Sequence, residues 1–101
     1  MIYQLQVPGP VPDVEEVRIL EWHGTEGKTF EPNDLVVELE THKAVVEVRA
    51  GRKAVLRKIL CREGDWRKIG EALAILGDTP DEALPGNEAE LSLFAVDFEI
   101  I

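Results

Sequence analysis

The side chain with the clearest chemical potential is the amine of Lys43, within the segment Glu40-Thr41-His42-Lys43-Ala44. An unprotonated lysine amine is a nucleophile and reacts with activated carbonyl groups. Most lysines are solvated surface groups, so the position of this one in the fold must distinguish it. A tight turn at residues 41–43 would hold the backbone stiffly and project the amine into water. A modifying enzyme would then reach it without unfolding the chain.

The other reactive side chains do not form a catalytic set. His23 and His42 are the only histidines, and Cys61 lies in an apolar run that predicts a buried structural thiol. Glu15 and Glu16 are adjacent acids, a pattern typical of a solvated loop. Neither a Ser-His-Asp arrangement nor a metal-ligand spacing is apparent. The sequence therefore predicts a protein that is not an enzyme and has no metal site.

The composition narrows the choice of partners. The chain has 101 residues with 20 acidic against 11 basic side chains, a formal net charge of −9. Such a surface repels nucleic acid and anionic membranes and favours basic protein surfaces. The single cysteine excludes an internal disulfide and a cysteine-based zinc site. With no signal peptide and no apolar run of transmembrane length, we expect a cytoplasmic protein that binds neither nucleic acid nor membrane.

Short apolar runs separated by Gly, Pro, Asn and Asp predict that roughly the first 77 residues form strands. Residues 45–50 alternate, with Val46, Val48 and Ala50 on one side, which is the pattern of a strand with one face in the core. No stretch shows a sustained helical period. The predicted strands are Ile2–Val7, Val17–His23, Val36–Glu40, Ala44–Arg49, Ala54–Cys61 and Leu73–Leu76.

An internal repeat with an offset of 37 residues relates two halves of this region, starting from Glu26-Gly27 and Glu63-Gly64. The same offset aligns Val17 with Ala54, Ile19 with Leu56, Trp22 with Ile59, Asn33 with Gly70, Val36 with Leu73 and Leu39 with Leu76. Two similar halves predict two sheets related by a pseudo-two-fold axis. The junction of the halves falls at Glu40–Ala44, which places Thr41-His42-Lys43 at the apex of a hairpin.

These residues resemble the lipoyl domain of the acyltransferase components of 2-oxo acid dehydrogenase complexes. That family carries its lipoyl lysine in a Glu-Thr-Asp-Lys-Ala turn, which residues 40–44 match except at His42. The resemblance covers about Ile2–Gly77 and implies an all-β barrel-sandwich hybrid, a flattened barrel of two small sheets. The flanking matches are Val7-Pro8, Glu21-Trp22, Glu26-Gly27, Val45-Val46-Glu47-Val48 and Glu63-Gly64-Asp65 with Gly70 and Leu73.

The resemblance implies a carrier that presents covalently bound lipoate on Lys43 as a swinging arm. Residues matching Gly27, Glu40, Thr41, His42 and Ala44 would contribute to recognition by the lipoate-attaching enzyme. The further implied partners are 2-oxo acid decarboxylase, acyltransferase and dihydrolipoyl dehydrogenase components. The transferred group would be an acyl group or, in glycine cleavage, an aminomethyl group.

Several positions depart from the family pattern. His42 replaces the usual Asp before the lysine, which predicts an unusual partner and adds a titratable side chain beside the arm. Val17 and Ala54 stand where the family often has glycine, which predicts altered loops. Pro10 and Pro12 stiffen the loop after Pro8, which in the family lies near the lipoyl turn.

The sequence after Gly77 changes character. Residues 78–90 are rich in acid, Pro and Gly and predict an extended linker, while Phe94, Val96, Phe98 and Ile100 would share one face of a strand. We therefore divide the chain into a carrier domain, 1–77, and a linker with an apolar tail, 78–101. Because few residues follow Gly77, we expect a free-standing or noncovalently bound carrier. Residues 91–101 either dock on another subunit through Phe94–Ile101 or pair with the domain's own sheet.

Two alternatives remain open for the function. A biotin carrier domain has the same fold and a lysine in the same turn, but that family usually places Met on both sides of its lysine, where this chain has His42 and Ala44. The second alternative is an unmodified adaptor module of the same shape. Such a module needs no lysine at the central turn, so the presence of Lys43 argues against it.

Overall fold

The described part of the chain is built from ten short strands. The computed structural model describes residues 1–84 and 91–101, and no helix occurs among them. The six predicted strands are confirmed to within two residues at each end. The strands are β1 Ile2–Gln6, β2 Glu16–Trp22, β3 Thr29–Phe30, β4 Leu35–Glu40, β5 Val45–Ala50, β6 Ala54–Ile59, β7 Trp66–Lys68, β8 Ala72–Gly77, β9 Ser92–Leu93 and β10 Val96–Ile100.

Two five-stranded sheets face each other across one apolar core. Their strand orders are β3-β6-β8-β1-β9 and β10-β5-β4-β2-β7, and every pairing is antiparallel except that of β1 with β9. The predicted all-β fold of two small sheets is therefore confirmed. The largest fully buried side chains, which fill the space between the sheets, are Phe30, Phe94, Leu5, Ile19, Leu39, Leu56, Leu73, Leu76, Val17, Val36, Val37 and Val46.

Backbone geometry confirms the 37-residue repeat. Gly27 and Gly64 have φ angles of 101° and 95°, and the aligned Asn33 and Gly70 have 76° and 90°. All four lie in the left-handed region, where glycine is free of strain and asparagine is tolerated. Each half also donates an equivalent hydrogen bond to the other. Gly27 N–H donates to Leu56 O, and Gly64 N–H donates to Ile19 O, both at 2.7 Å.

The two halves are interlocked. The short strand β3 of the first half pairs with β6 of the second, and β7 of the second half pairs with β2 of the first. Side chains also bond from each half to the other: the carboxylate of Glu63 accepts from Trp22 N at 3.0 Å, and that of Glu26 accepts from Ile59 N at 2.9 Å. The hairpin of β4 and β5, where the halves join, lies in one sheet between β2 and the C-terminal strand β10. The altered loops expected at Val17 and Ala54 are not formed, because both residues are buried inside strands.

The C-terminal residues pair with the domain itself, so the predicted docking of Phe94–Ile101 on another subunit is corrected. Here β9 lies beside β1 in one sheet and β10 lies beside β5 in the other. Both edges would otherwise present unpaired N–H and C=O groups. Phe94 does not share the β10 face: its N–H donates to Gln4 O at 2.8 Å and its ring is 1% exposed. The chain crosses between the sheets at this residue.

Residues 78–84 lie against the body of the domain. The hydroxyl of Tyr3 donates to Asp78 at 3.0 Å, and Arg57 donates to the Glu82 carbonyl at 2.7 Å. This stretch is therefore not the extended linker expected for 78–90, and the rest of that linker, 85–90, lies outside the described residues. No helix in the described ranges has the length and apolar character needed to cross a membrane.

Candidate functional site

The segment that carries Lys43 is the turn between β4 and β5, as predicted. Glu40 and Val45 are the last cross-strand pair, and residues 41–44 connect them. Both strands are anchored by side chains that point into the core, among them Leu39 and Val46, each 1% exposed. The Lys43 side chain, by contrast, is 58% exposed. The exposed amine is therefore carried by a short turn whose two flanking strands are fixed in the core.

Thr41 sets the geometry of this turn. It is the one buried polar side chain in the described part of the chain. Its hydroxyl oxygen accepts from Lys43 N at 3.1 Å and from Ala44 N at 2.9 Å, and its hydroxyl donates to Ala44 O at 3.1 Å. The Thr41 N–H closes the turn on the same Ala44 carbonyl at 2.8 Å. The threonine thus fixes the backbone of the lysine.

A Thr41→Val substitution is expected to lower the free energy of unfolding by about 1–3 kcal/mol, because it leaves two turn N–H groups without their acceptor. Thr41→Ser retains the hydroxyl and serves as the control, with a smaller loss. Urea unfolding of the three proteins measures the difference. Equal stability of the valine variant and the wild type would show that the hydroxyl does not fix the turn.

The loop of residues 8–14 lies against the lysine turn. Val11 and Val14 form an isolated bridge, and between them Asp13 adopts a left-handed φ of 62°. The Asp13 carboxylate lies 3.4 Å from the Lys43 Nζ atom. Both side chains are largely exposed, so this ion pair contributes little stability. Its effect is to direct the free amine along the loop that holds Pro12 and Asp13.

His42 lines an acidic groove, which we define by Asp13, Glu15, Glu16, His42 and Trp66. Trp66 is 53% exposed, which is unusual for the largest apolar side chain. The sequence did not single out Asp13 or Trp66. Pro10 and Pro12 did mark the loop that carries Asp13, but nothing local indicates that β7 brings Trp66 beside it. The groove combines negative charge with one exposed aromatic ring.

The other predicted recognition residues do not all lie together. Glu40 lies at the hairpin, where its carboxylate is 3.6 Å from Arg18 Nη1 of β2. Gly27 lies in the turn between β2 and β3. In the pairing of β2 with β4, Arg18 lies opposite Glu40, beside the lysine turn, whereas Trp22 at the end of β2 lies opposite Val37. The turn follows Trp22, so it begins on the side of the sheet remote from Lys43. A Cβ at Gly27 would meet nothing within 4 Å, so its positive φ is the structural reason for glycine there.

Four glutamates form a row across the outer face of the sheet that carries the lysine: the register pairs Glu21 with Glu38, Glu38 with Glu47, and Glu47 with Glu99. Like charges directly opposite each other are destabilising. His23 relieves one pair, with Nε2 lying 2.6 Å from Glu38 and 3.7 Å from Glu21.

The sequence showed no metal-ligand spacing, yet Glu21, His23 and Glu38 bring three possible donor atoms within 4.8 Å of one another. The hydrogen bond between His23 and Glu38 accounts for this grouping, and the absence of a metal site stays a prediction.

The environment of Cys61 is that of a structural thiol. The side chain is buried, its Sγ lies 3.7 Å from the Leu73 carbonyl oxygen, and burial raises its pKa above the ordinary value of a cysteine. A higher pKa lowers the thiolate fraction at neutral pH and with it the reactivity.

Comparison with known proteins gives one consistent result. The sequence model of the biotin/lipoyl attachment family, described as "Biotin-requiring enzyme", matches residues 3–76. The chain is 35% identical over 75 residues to the dihydrolipoyllysine-residue succinyltransferase component of the 2-oxoglutarate dehydrogenase complex of Staphylococcus saprophyticus, a match covering 74% of this chain and 18% of the relative. It is 30% identical over 77 residues to the pyruvate dehydrogenase complex protein X component of Chaetomium thermophilum, covering 75% and 17%. The chain thus spans about a fifth of the length of these relatives.

Proposed function

Because the chain belongs to the biotin/lipoyl attachment family, as a domain of the lipoyl type, we propose that it is a lipoyl carrier whose Lys43 holds covalently bound lipoate. The observation that supports this assignment most strongly is the position of Lys43. Its amine is exposed at the turn that joins the two half-repeats, on a backbone fixed by Thr41. We propose residues 1–77 as the carrier unit, to which residues 91–101 add an edge strand in each sheet and the buried ring of Phe94.

In the attachment step, the Lys43 amine attacks the carbonyl of an activated lipoyl group supplied by the attaching enzyme. The amide C–N bond forms, the bond from the carbonyl to its leaving group breaks, and the amine loses a proton. The site suits this step because the amine is exposed: among residues 1–84 and 91–101, its one polar contact is with the Asp13 carboxylate, at 3.4 Å. When bound, lipoate supplies a disulfide that can be reductively acylated, which means that it takes up an acyl group and is reduced by two electrons in the same reaction.

Lipoate is favoured over biotin by the side chains next to the lysine and by the matched proteins. His42 and Ala44 flank Lys43, where biotin carriers usually have methionines. The relatives named above are components of 2-oxoglutarate and pyruvate dehydrogenase complexes. We therefore propose that this carrier serves a 2-oxo acid dehydrogenase-like system; the cytoplasm is the location expected from the sequence. Its partners would be the lipoate-attaching enzyme and the decarboxylase, acyltransferase and dihydrolipoyl dehydrogenase components.

The chain's own residues would contribute position and recognition rather than bond-making. Thr41 holds the lysine backbone still, so the arm sweeps a defined volume about one point. Tethering raises the effective concentration of the carried group at each partner site. The acidic groove begins at Asp13, which contacts the lysine, and it would face a basic entrance on the decarboxylase. Complementary charge of this kind acts mainly on the association rate.

Neutralising the groove with the pair Glu15→Gln and Glu16→Gln is expected to raise the apparent KM of a decarboxylase component for the lipoylated chain about 3- to 10-fold, with kcat unchanged. The pair Asp97→Asn and Glu99→Gln removes the same charge from β10 and is the control. The assay is reductive acylation at several salt concentrations, with 2-oxoglutarate and pyruvate decarboxylase components compared. If both pairs raise KM equally, net charge rather than the groove governs recognition. If neither component acylates the lipoylated chain, the proposed carrier role is wrong.

A further inference from the structure

A small apolar cavity opens beside the lysine, with a volume of about 170 Å³. We call it the lysine notch, and its walls are Val11, Pro12, Val14, Ala44 and Ile100, with the Lys43 stem at its rim. Thr41 and Lys43 are the two polar residues of its lining, and the Thr41 hydroxyl is already engaged in the turn.

One wall of the notch comes from the C-terminal strand. Ile100 pairs with Val46, and Ile101 exchanges backbone hydrogen bonds with Val45, with its N–H donating at 2.8 Å. Ile100 therefore points to the same side of the sheet as the buried Val46, yet it is 46% exposed, on a strand at the edge of the sheet. The family match ends at residue 76, so β10 adds a feature that the matched region lacks.

The opposite wall comes from the loop that also holds Asp13. Val11 is buried and Val14 packs against the core, so this wall is fixed by the rest of the domain. The charged amine of Lys43 is directed to Asp13 at 3.4 Å, outside the apolar wall. Acylation removes that charge and with it the ion pair. It also places an aliphatic chain directly at the mouth of an apolar cavity, where burial is favourable.

We propose that the lysine notch is a resting site for the acyl arm attached to Lys43, an inference that rests on the proposed function. In the resting position the chain of the lipoyl group lies between Ile100 and the Val11–Val14 loop. Each partner enzyme must then draw the arm out before it reacts. An arm that rests there for about three-quarters to nine-tenths of the time would react with a small reagent about 4- to 10-fold more slowly than a free arm.

The test uses the full chain with octanoate or lipoate attached by a lipoate ligase and checked by intact mass. In the octanoyl protein, we expect nuclear Overhauser contacts between the chain protons and the methyl groups of Val11, Val14 and Ile100. In the lipoyl protein, Ile100→Ser should speed reduction of the dithiolane by dithiothreitol about 4- to 10-fold and weaken the contacts. Phe98→Ser is the matched control, because Phe98 lies on the same face of β10 but outside the notch.

Absence of these contacts in the modified protein would overturn the resting site while leaving the carrier function intact. Equal acceleration by Phe98→Ser would also overturn it, because the effect would then come from a loosened strand. If the ligase leaves Lys43 unmodified, the proposed function itself fails. The notch is then tested on a Lys43→Cys variant alkylated with N-octyl iodoacetamide, for which Cys61 is too buried to compete. The same contacts would support the notch there, and their absence would refute it.

Discussion

A Lys43→Arg variant is expected to acquire no lipoyl group, whereas the wild type acquires one per chain. The guanidinium group stays protonated, so it has no free electron pair with which to attack an activated carbonyl. Arginine keeps the positive charge near Asp13, and the lysine side chain is 58% exposed, so stability should change by less than about 0.5 kcal/mol. Intact mass after incubation with lipoate, ATP and a lipoate ligase gives the extent of modification.

Lys53→Arg is the control for this result. Lys53 also lies in a turn between strands, β5 and β6; its side chain is 68% exposed and its Nζ lies 3.9 Å from a carboxylate, that of Glu31. It thus resembles Lys43 in exposure and charge, but it does not lie at the junction of the two half-repeats. Full modification of Lys53→Arg is expected. Residual modification of Lys43→Arg would mean that a second lysine accepts lipoate and that position at the junction is not what selects it.

The second large effect is expected from Phe94→Ala, which should lower the free energy of unfolding by about 3–5 kcal/mol. The ring is 1% exposed and packs edge-to-face on Tyr3, with 5.8 Å between ring centroids. Such a loss is a large share of the stability of a small domain. Urea unfolding with a common m value measures it.

Leu93→Ala is the matched control, since the neighbouring side chain is 64% exposed and its loss should cost less than about 0.5 kcal/mol. A difference between the two variants shows that the C-terminal segment completes the core of the carrier domain. If Phe94→Ala were as stable as Leu93→Ala, the segment would be dispensable for folding. Docking on another subunit would then again be the better explanation of its apolar residues.

The features that the sequence predicts well depend on local pattern. Runs of apolar residues predict the long strands, and Gly27, Asn33, Gly64 and Gly70 predict the left-handed turns. Because the turns recur at one offset, the repeat also locates the junction, and with it the exposed lysine. Each of these signals is contained in a few neighbouring residues or in a single spacing. That is why both the fold class and the lysine turn follow from the sequence.

The features that the sequence misses depend on contacts between distant segments. The strands β3 and β7 have two and three residues, too few to show a period, and they exist only because the opposite half-repeat pairs with them. The alternation after Phe94 predicts a strand but does not say which edge it joins. Likewise, Asp13, Trp66 and Ile100 come to the cavities beside the turn of residues 41–44 from three separate parts of the chain, so no local motif relates them to it.

A ligase competition shows whether the Lys43 amine is the attachment point for lipoate. The wild-type chain is incubated with lipoate ligase, biotin ligase, both acids and ATP, and the adduct is then identified and located by tandem mass spectrometry of its peptides. We expect a lipoyl group on the peptide that contains Lys43 and no adduct on the other four lysines. A biotinyl group at Lys43, a lipoyl group on another lysine, or an unmodified chain would contradict it.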